Sequence, residues 1–98
     1  MSKISVDTYV VDTLMRDLVQ HGKKPSAFIV YLHLWNKTQA GNHPVKLSHL
    51  KIADSTGLSK SSVQSALKML TRRKLVRSAR KTATAVPEHV ILRPWVKA

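Results

Sequence analysis

Apolar residues recur at three- and four-residue intervals through most of this chain and at two-residue intervals near its end. Val10, Val11, Leu14, Met15 and Leu18 form one stripe, which predicts a helix over Ser5 to His21. Asp7 or Thr8 is placed to cap its free amides, and Gly22 to stop it. Lys23, Lys24 and Pro25 make the link onward. Pro25 stands where a missing amide costs least, so a second helix is predicted from Ser26 to about Thr38. Ala27, Phe28, Ile29, Val30, Tyr31, Leu32, Leu34 and Trp35 leave it almost no polar side, which predicts a central helix buried all round. Residues 40–44 read as a turn, and Val45, Lys46 and Leu47 alternate as a small strand does.

Two further helices meet at a sharp corner. Ser48 can cap a helix reaching about Thr56, Gly57 can make the turn, and Ser59 can cap a helix continuing to about Lys74. Ala53, Gly57 and Val63 are spaced by four and six, with Ile52, Leu58, Ala66, Leu67 and Leu70 filling apolar positions around them. That is the spacing of a helix-turn-helix. On the later helix Val63, Ala66, Leu67 and Leu70 share one face. Lys60, Ser61, Gln64, Lys68 and Arg72 share the other, with Ser65 at its edge. After Lys74 the period becomes two. Leu75 to Arg77 predicts a strand, residues 78–88 a basic loop broken by Pro87, and His89 to Arg93 a returning strand. Pro94 and Trp95 end the fold, with Trp95 as a lid on the core.

Charge sharpens this picture. Seventeen Lys and Arg against five Asp and Glu give a net charge of +12, which attracts polyanions before any contact forms. The charge is unevenly placed. Residues 1–20 carry two bases and three acids, whereas the other fifteen bases face only Asp54 and Glu88. Between Ser55 and Pro87 there is no acid, and Lys60, Lys68, Arg72, Arg73, Lys74, Arg77, Arg80 and Lys81 all fall there. The positive field therefore belongs to the later helix and the hairpin.

The stretch VKLSHLKIADSTGLSKSSVQSALKMLTRRKLVRSAR, set in the order helix, helix, short strand, helix-turn-helix and basic hairpin, resembles a winged helix-turn-helix domain. It is similar to the DNA-binding modules of GntR and MarR regulators and of plasmid replication initiators. One departure from that pattern is Lys51, which stands where many relatives carry the Glu or Gln of a capping box. The resemblance implies a mainly α fold with a small β-hairpin (α+β), a winged helix-turn-helix with an extra amino-terminal helix. A single domain over 1–98 is expected, with the amino-terminal helix and link at 1–24, the helical core at 25–74 holding the helix-turn-helix at 48–74, the wing at 75–93 and a tail at 94–98.

The resemblance also implies roles. Ser59 and the free amides of Lys60 and Ser61 suit a phosphate, and Lys60, Ser61, Gln64, Ser65 and Lys68 can reach base edges. Gln64 is the best discriminator among them, because its amide can pair with both N6 and N7 of adenine. Arg72, Arg73 and Lys74 would hold phosphates further along. Arg77, Arg80 and Lys81 belong to the wing, whose tip can enter the minor groove. The expected function is sequence-specific binding of double-stranded DNA by a small prokaryotic transcriptional regulator. Two to three polar readers per site add only a few kcal/mol of specificity, which points to a homodimer or a larger protein–DNA assembly. Val11, Leu14, Met15 and Leu18 are candidates for core with a dimer contact at its edge. A protein-interaction adaptor and an accessory subunit for replication or mobile elements are the alternatives.

Other classes find less support. No Cys is present, and the five histidines lack metal-ligand spacing. No cofactor and no small-molecule ligand is expected. The carboxylates are few, and no nucleophile motif or Gly-rich phosphate loop accompanies them, so no enzyme is expected. Readers of single-stranded RNA use exposed aromatics, and three of the five here fall in the apolar second helix. No segment has the length to span a bilayer and no signal pattern opens the chain, so a cytoplasmic, nucleoid-associated protein is expected.

Overall fold

The computed structural model describes residues 2–96. The end of the predicted tail, residues 97 and 98, lies outside them. The amino-terminal helix begins at Thr8 rather than Ser5, because Asp7 has other work: its carboxylate accepts from Trp95 Nε1 at 3.0 Å and from Arg93 at 3.3 Å, and it caps nothing. The helix is π-wound over Val10–Leu14 and Asp17–His21. There Met15 and Gly22 donate to the carbonyls five residues back, Val10 and Asp17. An α-helix rotates residues four apart by about 40° away from one another. The wider turns reduce that drift, so Val10, Leu14 and Leu18 all reach the core while Val11, Met15 and Val19 stay exposed together. The predicted single stripe is thus two stripes, one in and one out.

Helix α1 (Pro25–Lys37) lies against this helix and forms the centre of the molecule. It is not buried all round. Ala27, Val30, Tyr31, Leu34 and Trp35 are buried, whereas Ile29 is exposed and Phe28 and Leu32 are half-buried. After it, Gln39, Ala40 and Gly41 all take positive φ. A Cβ at Gly41 would lie 2.9 Å from the carbonyl oxygen of Ile91, so the turn is locked to the sheet at a position only glycine fits.

Strand β1 (Val45–Lys46) leads into helix α2 (His49–Thr56). Ser48 caps α2 by accepting from the Lys51 amide at 3.1 Å, and Gly57 ends it at φ 79°. Helix α3 (Lys60–Arg72) follows after Ser59, whose hydroxyl accepts from the Ser62 amide at 3.1 Å. The apolar face of α3 is buried through Val63, Ala66, Leu67, Met69 and Leu70. Strands β2 (Val76–Ala79) and β3 (Glu88–Ile91) complete an antiparallel sheet of order β1-β3-β2. The strands extend further into the predicted loop than alternation suggested: Ser78 pairs with His89 and Ala79 with Glu88. The fold is α+β, a winged helix-turn-helix with an extra amino-terminal helix.

Both ends of the chain close on Trp35. Its indole donates to the Ser5 carbonyl at 2.8 Å, Arg93 lies over its ring at 5.7 Å, and Trp95 stacks at 6.5 Å. Trp95 is in turn stacked on Tyr9 at 4.5 Å. The expected lid is therefore a half-buried member of an aromatic stack pinned by Asp7.

Candidate nucleic-acid interface

A groove of about 750 Å³ runs between α3 and the wing. One wall is the polar face of α3, with Ser61, Gln64, Ser65, Lys68 and Arg72. This face points outward because the apolar residues of α3, three and four apart, are spent on α1 and α2. The other wall is Ser78, Ala79, Arg80 and Pro87 from β2 and the wing loop, and His49 and His89 line the groove as well. Among the described residues no carboxylate lines it. Its chemistry is that of a cationic channel with hydroxyl and amide donors, suited to a polyanion.

His89 sets the geometry of the wing wall. It is 1% exposed and fully bonded: Nε2 lies 2.9 Å from the Leu47 carbonyl and Nδ1 lies 2.7 Å from Ser78 Oγ. A carbonyl only accepts, so Nε2 carries the proton and Nδ1 accepts from the serine hydroxyl in the neutral ring. Burial pushes the pKa of His89 down, the bond to the Leu47 carbonyl opposes this, and His49 and Arg80 add to the lowering. One side chain thus ties β2, β3 and the approach to α2 together. Sequence reasoning missed His89, His49, Ser78 and Pro87. An inward-facing polar residue on a strand is the signal that could have found His89.

The predicted contacts separate into groups. Ser61, Gln64, Ser65, Lys68, Arg72 and Arg80 come together on the groove. Ser59 caps α3 at its entrance, beside exposed Lys60. Arg77 is exposed and alternates with Ser78, so it stands on the other face of β2. Lys81 lines a second hollow behind the wing with Lys46, Val86 and Glu88. Arg73 stands apart from the groove: its guanidinium donates to Asp17 at 3.1 Å and packs beside Gly22, which ties it to the amino-terminal helix. Arg80 donates to the Ala83 carbonyl at 3.2 Å, steadying the start of the wing loop.

The sequence of this framework matches a family model, the helix-turn-helix domain, over residues 13–76. The chain belongs to the helix-turn-helix domain family. In this helix-turn-helix domain the matched segment runs from the amino-terminal helix through the start of β2. No curated protein matches the chain. Among solved structures it is similar to a double mutant of ZitR from Lactococcus lactis in apo form, at 19% identity and a TM-score of 0.48. That alignment covers 92% of this chain and 64% of ZitR, so the chain spans less than two thirds of that protein. Among the described residues of the helix-turn-helix domain, no group of three or more His, Asp or Glu could hold a metal, and no helix is long and apolar enough to cross a membrane.

Proposed function

We propose that this helix-turn-helix domain binds double-stranded DNA with sequence preference and acts as a small transcriptional regulator. Helix α3 enters the major groove and the wing lies on the adjacent backbone or minor groove. The observation that carries this reading is the groove itself: hydroxyl, amide and basic side chains of α3 on one wall, Arg80 of the wing on the other, and no carboxylate between them among the described residues. Gln64 and Ser65 read base edges, Lys68 and Arg72 hold phosphates along α3, and Arg80 holds the strand beneath the wing. Ser59, Lys60 and Ser61 serve the backbone at the helix start. Arg77 and Lys81 contribute to the general positive field.

The same reading includes a homodimer through the exposed stripe Val11, Met15 and Val19. It lies within the first 20 residues, which carry three acids against two bases in a chain of net charge +12, so two strongly cationic molecules repel little there. Exposed Asp12 and Arg16 flank the stripe and can pair reciprocally across a two-fold axis.

A mobility-shift titration on duplex DNA tests the function. If about six phosphates are neutralised, log affinity falls with log salt at a slope near −5. Gln64→Ala then relaxes sequence preference, with roughly 1–3 kcal/mol lost at one base pair. Salt-insensitive binding, or a Gln64→Ala protein with unchanged preference, would overturn the assignment.

A further inference from the structure

His49 opens α2 beside the DNA groove, where nothing in the sequence pattern marked it. Its ring centroid is 6.4 Å from that of His89, which has spent both ring nitrogens on Leu47 and Ser78. His49 is free of that duty and half-exposed. The charges acting on it come from two other elements and are all positive: Arg80 from the wing and Lys60 from the first turn of α3. His89, on β3, is neutral. The acid on the sheet is Glu88, which alternates with His89 and lines the hollow behind the wing, a hollow that Arg80 lines as well. Burial, Arg80 and Lys60, in that order, hold the pKa of His49 below its ordinary value.

We propose that His49, Lys60 and Arg80 together clamp one DNA backbone phosphate, and that His49 takes up a proton as it does so. This rests on the DNA-binding reading above. The chemistry follows from the cluster. Arg80 lines the groove with His49, Lys60 adds its positive field from the first turn of α3, and a phosphate there supplies the negative charge that both cations attract. In the free protein burial, with Arg80 and Lys60 adding to it, disfavours the imidazolium. A phosphate between them reverses the local potential and makes the imidazolium the favoured form. Binding and protonation are then linked: affinity rises as pH falls through the interval between the free and bound pKa values.

Fluorescence anisotropy with a random-sequence duplex of about two helical turns, at fixed ionic strength, reads this directly. One linked proton gives the unmodified protein roughly a tenfold gain in affinity from pH 8 to pH 6. His49→Gln keeps a polar side chain that cannot charge and should gain less than about twofold over the same interval. His43→Gln, in the exposed turn before β1, should keep the whole gain. Circular dichroism at pH 6 confirms that each protein is folded. Nuclear magnetic resonance of the His49 ring should show its titration midpoint rising by about one unit or more when the duplex is added. A gain retained in His49→Gln, or a midpoint unmoved by DNA, overturns the clamp while leaving DNA binding intact. Absence of binding at both pH values overturns the DNA-binding reading itself.

Discussion

Arg72 and Arg73 are neighbours in sequence and face different parts of the fold. Arg72 lines the groove, while Arg73 crosses to Asp17 on the amino-terminal helix. The pair is only partly shielded, with side chains 31% and 44% exposed, so its contribution is that of a surface ion pair, about 0.2–1 kcal/mol. Arg73→Ala should therefore lower stability by that much in urea unfolding and leave DNA affinity nearly unchanged. Arg72→Ala should do the reverse. His89 is the other decisive residue. Its pKa is lowered by burial first and foremost, so the unfolded chain binds a proton more readily than the folded one. The stability contributed by the neutral ring is present above the unfolded value near 6.5 and is lost as pH falls through the folded value. Thermal unfolding followed from pH 7.5 downward should show the melting temperature falling below about pH 6.5. His89→Asn, which breaks the bridge between Ser78 and Leu47, should lower stability at pH 7.5 and flatten that acid-side fall. A wild-type melting temperature independent of pH would contradict the assignment.

At the scale of elements, the parts legible in the sequence are those whose causes are local. Ser48, Gly57 and Ser59 act within one turn of themselves, and each stands where the pattern predicted. What was not legible depends on distant partners. Nothing near Arg73 in sequence announces Asp17, 56 residues away, and nothing near His89 announces Leu47, 42 residues away. Nor does a stripe at mixed three- and four-residue spacing reveal that π-wound turns will split it between core and solvent. The end of α3 shows the local logic at its most specific. Lys74 donates to the Thr71 carbonyl and Leu75 to the Leu70 carbonyl, with Lys74 at φ 59° and Leu75 buried. This is a Schellman close whose left-handed position is held by a lysine where glycine is usual. The left-handed backbone costs a side chain about 1–2 kcal/mol, and glycine returns part of that through its freer unfolded chain. Lys74→Gly should therefore stabilise the protein by roughly 0.5–1 kcal/mol in chemical denaturation. A loss of stability would mean that the Lys74 side chain makes a contribution larger than the strain it carries.

At the scale of the whole molecule, charge and apolar surface are kept on different parts. The groove takes Lys68, Arg72 and Arg80, while Val11, Met15 and Val19 stand on a helix none of whose residues line the groove. Under the proposed function, DNA and a second copy are therefore held at once. In the proposed dimer this arrangement answers an energetic need, since one groove with a few polar side chains would yield limited selectivity, and joining two converts the second contact into an intramolecular one. Met15 is the middle residue of the exposed stripe, so in a two-fold contact it faces the neighbourhood of its own equivalent. Met15→Glu places two like charges there and removes apolar surface at little cost to the monomer, because Met15 is already 40% exposed. In sedimentation equilibrium the unmodified chain should show twice the 11.0 kDa monomer mass, and Met15→Glu the monomer mass. On a duplex carrying two sites the variant should lose about 100-fold in affinity, the usual scale of avidity, whereas on a single site the two proteins should bind alike. An unmodified chain that sediments as a monomer at micromolar concentration would remove the stripe from consideration as a dimer face. Equal loss on one site and two would trace the effect to the groove and not to the pairing of molecules.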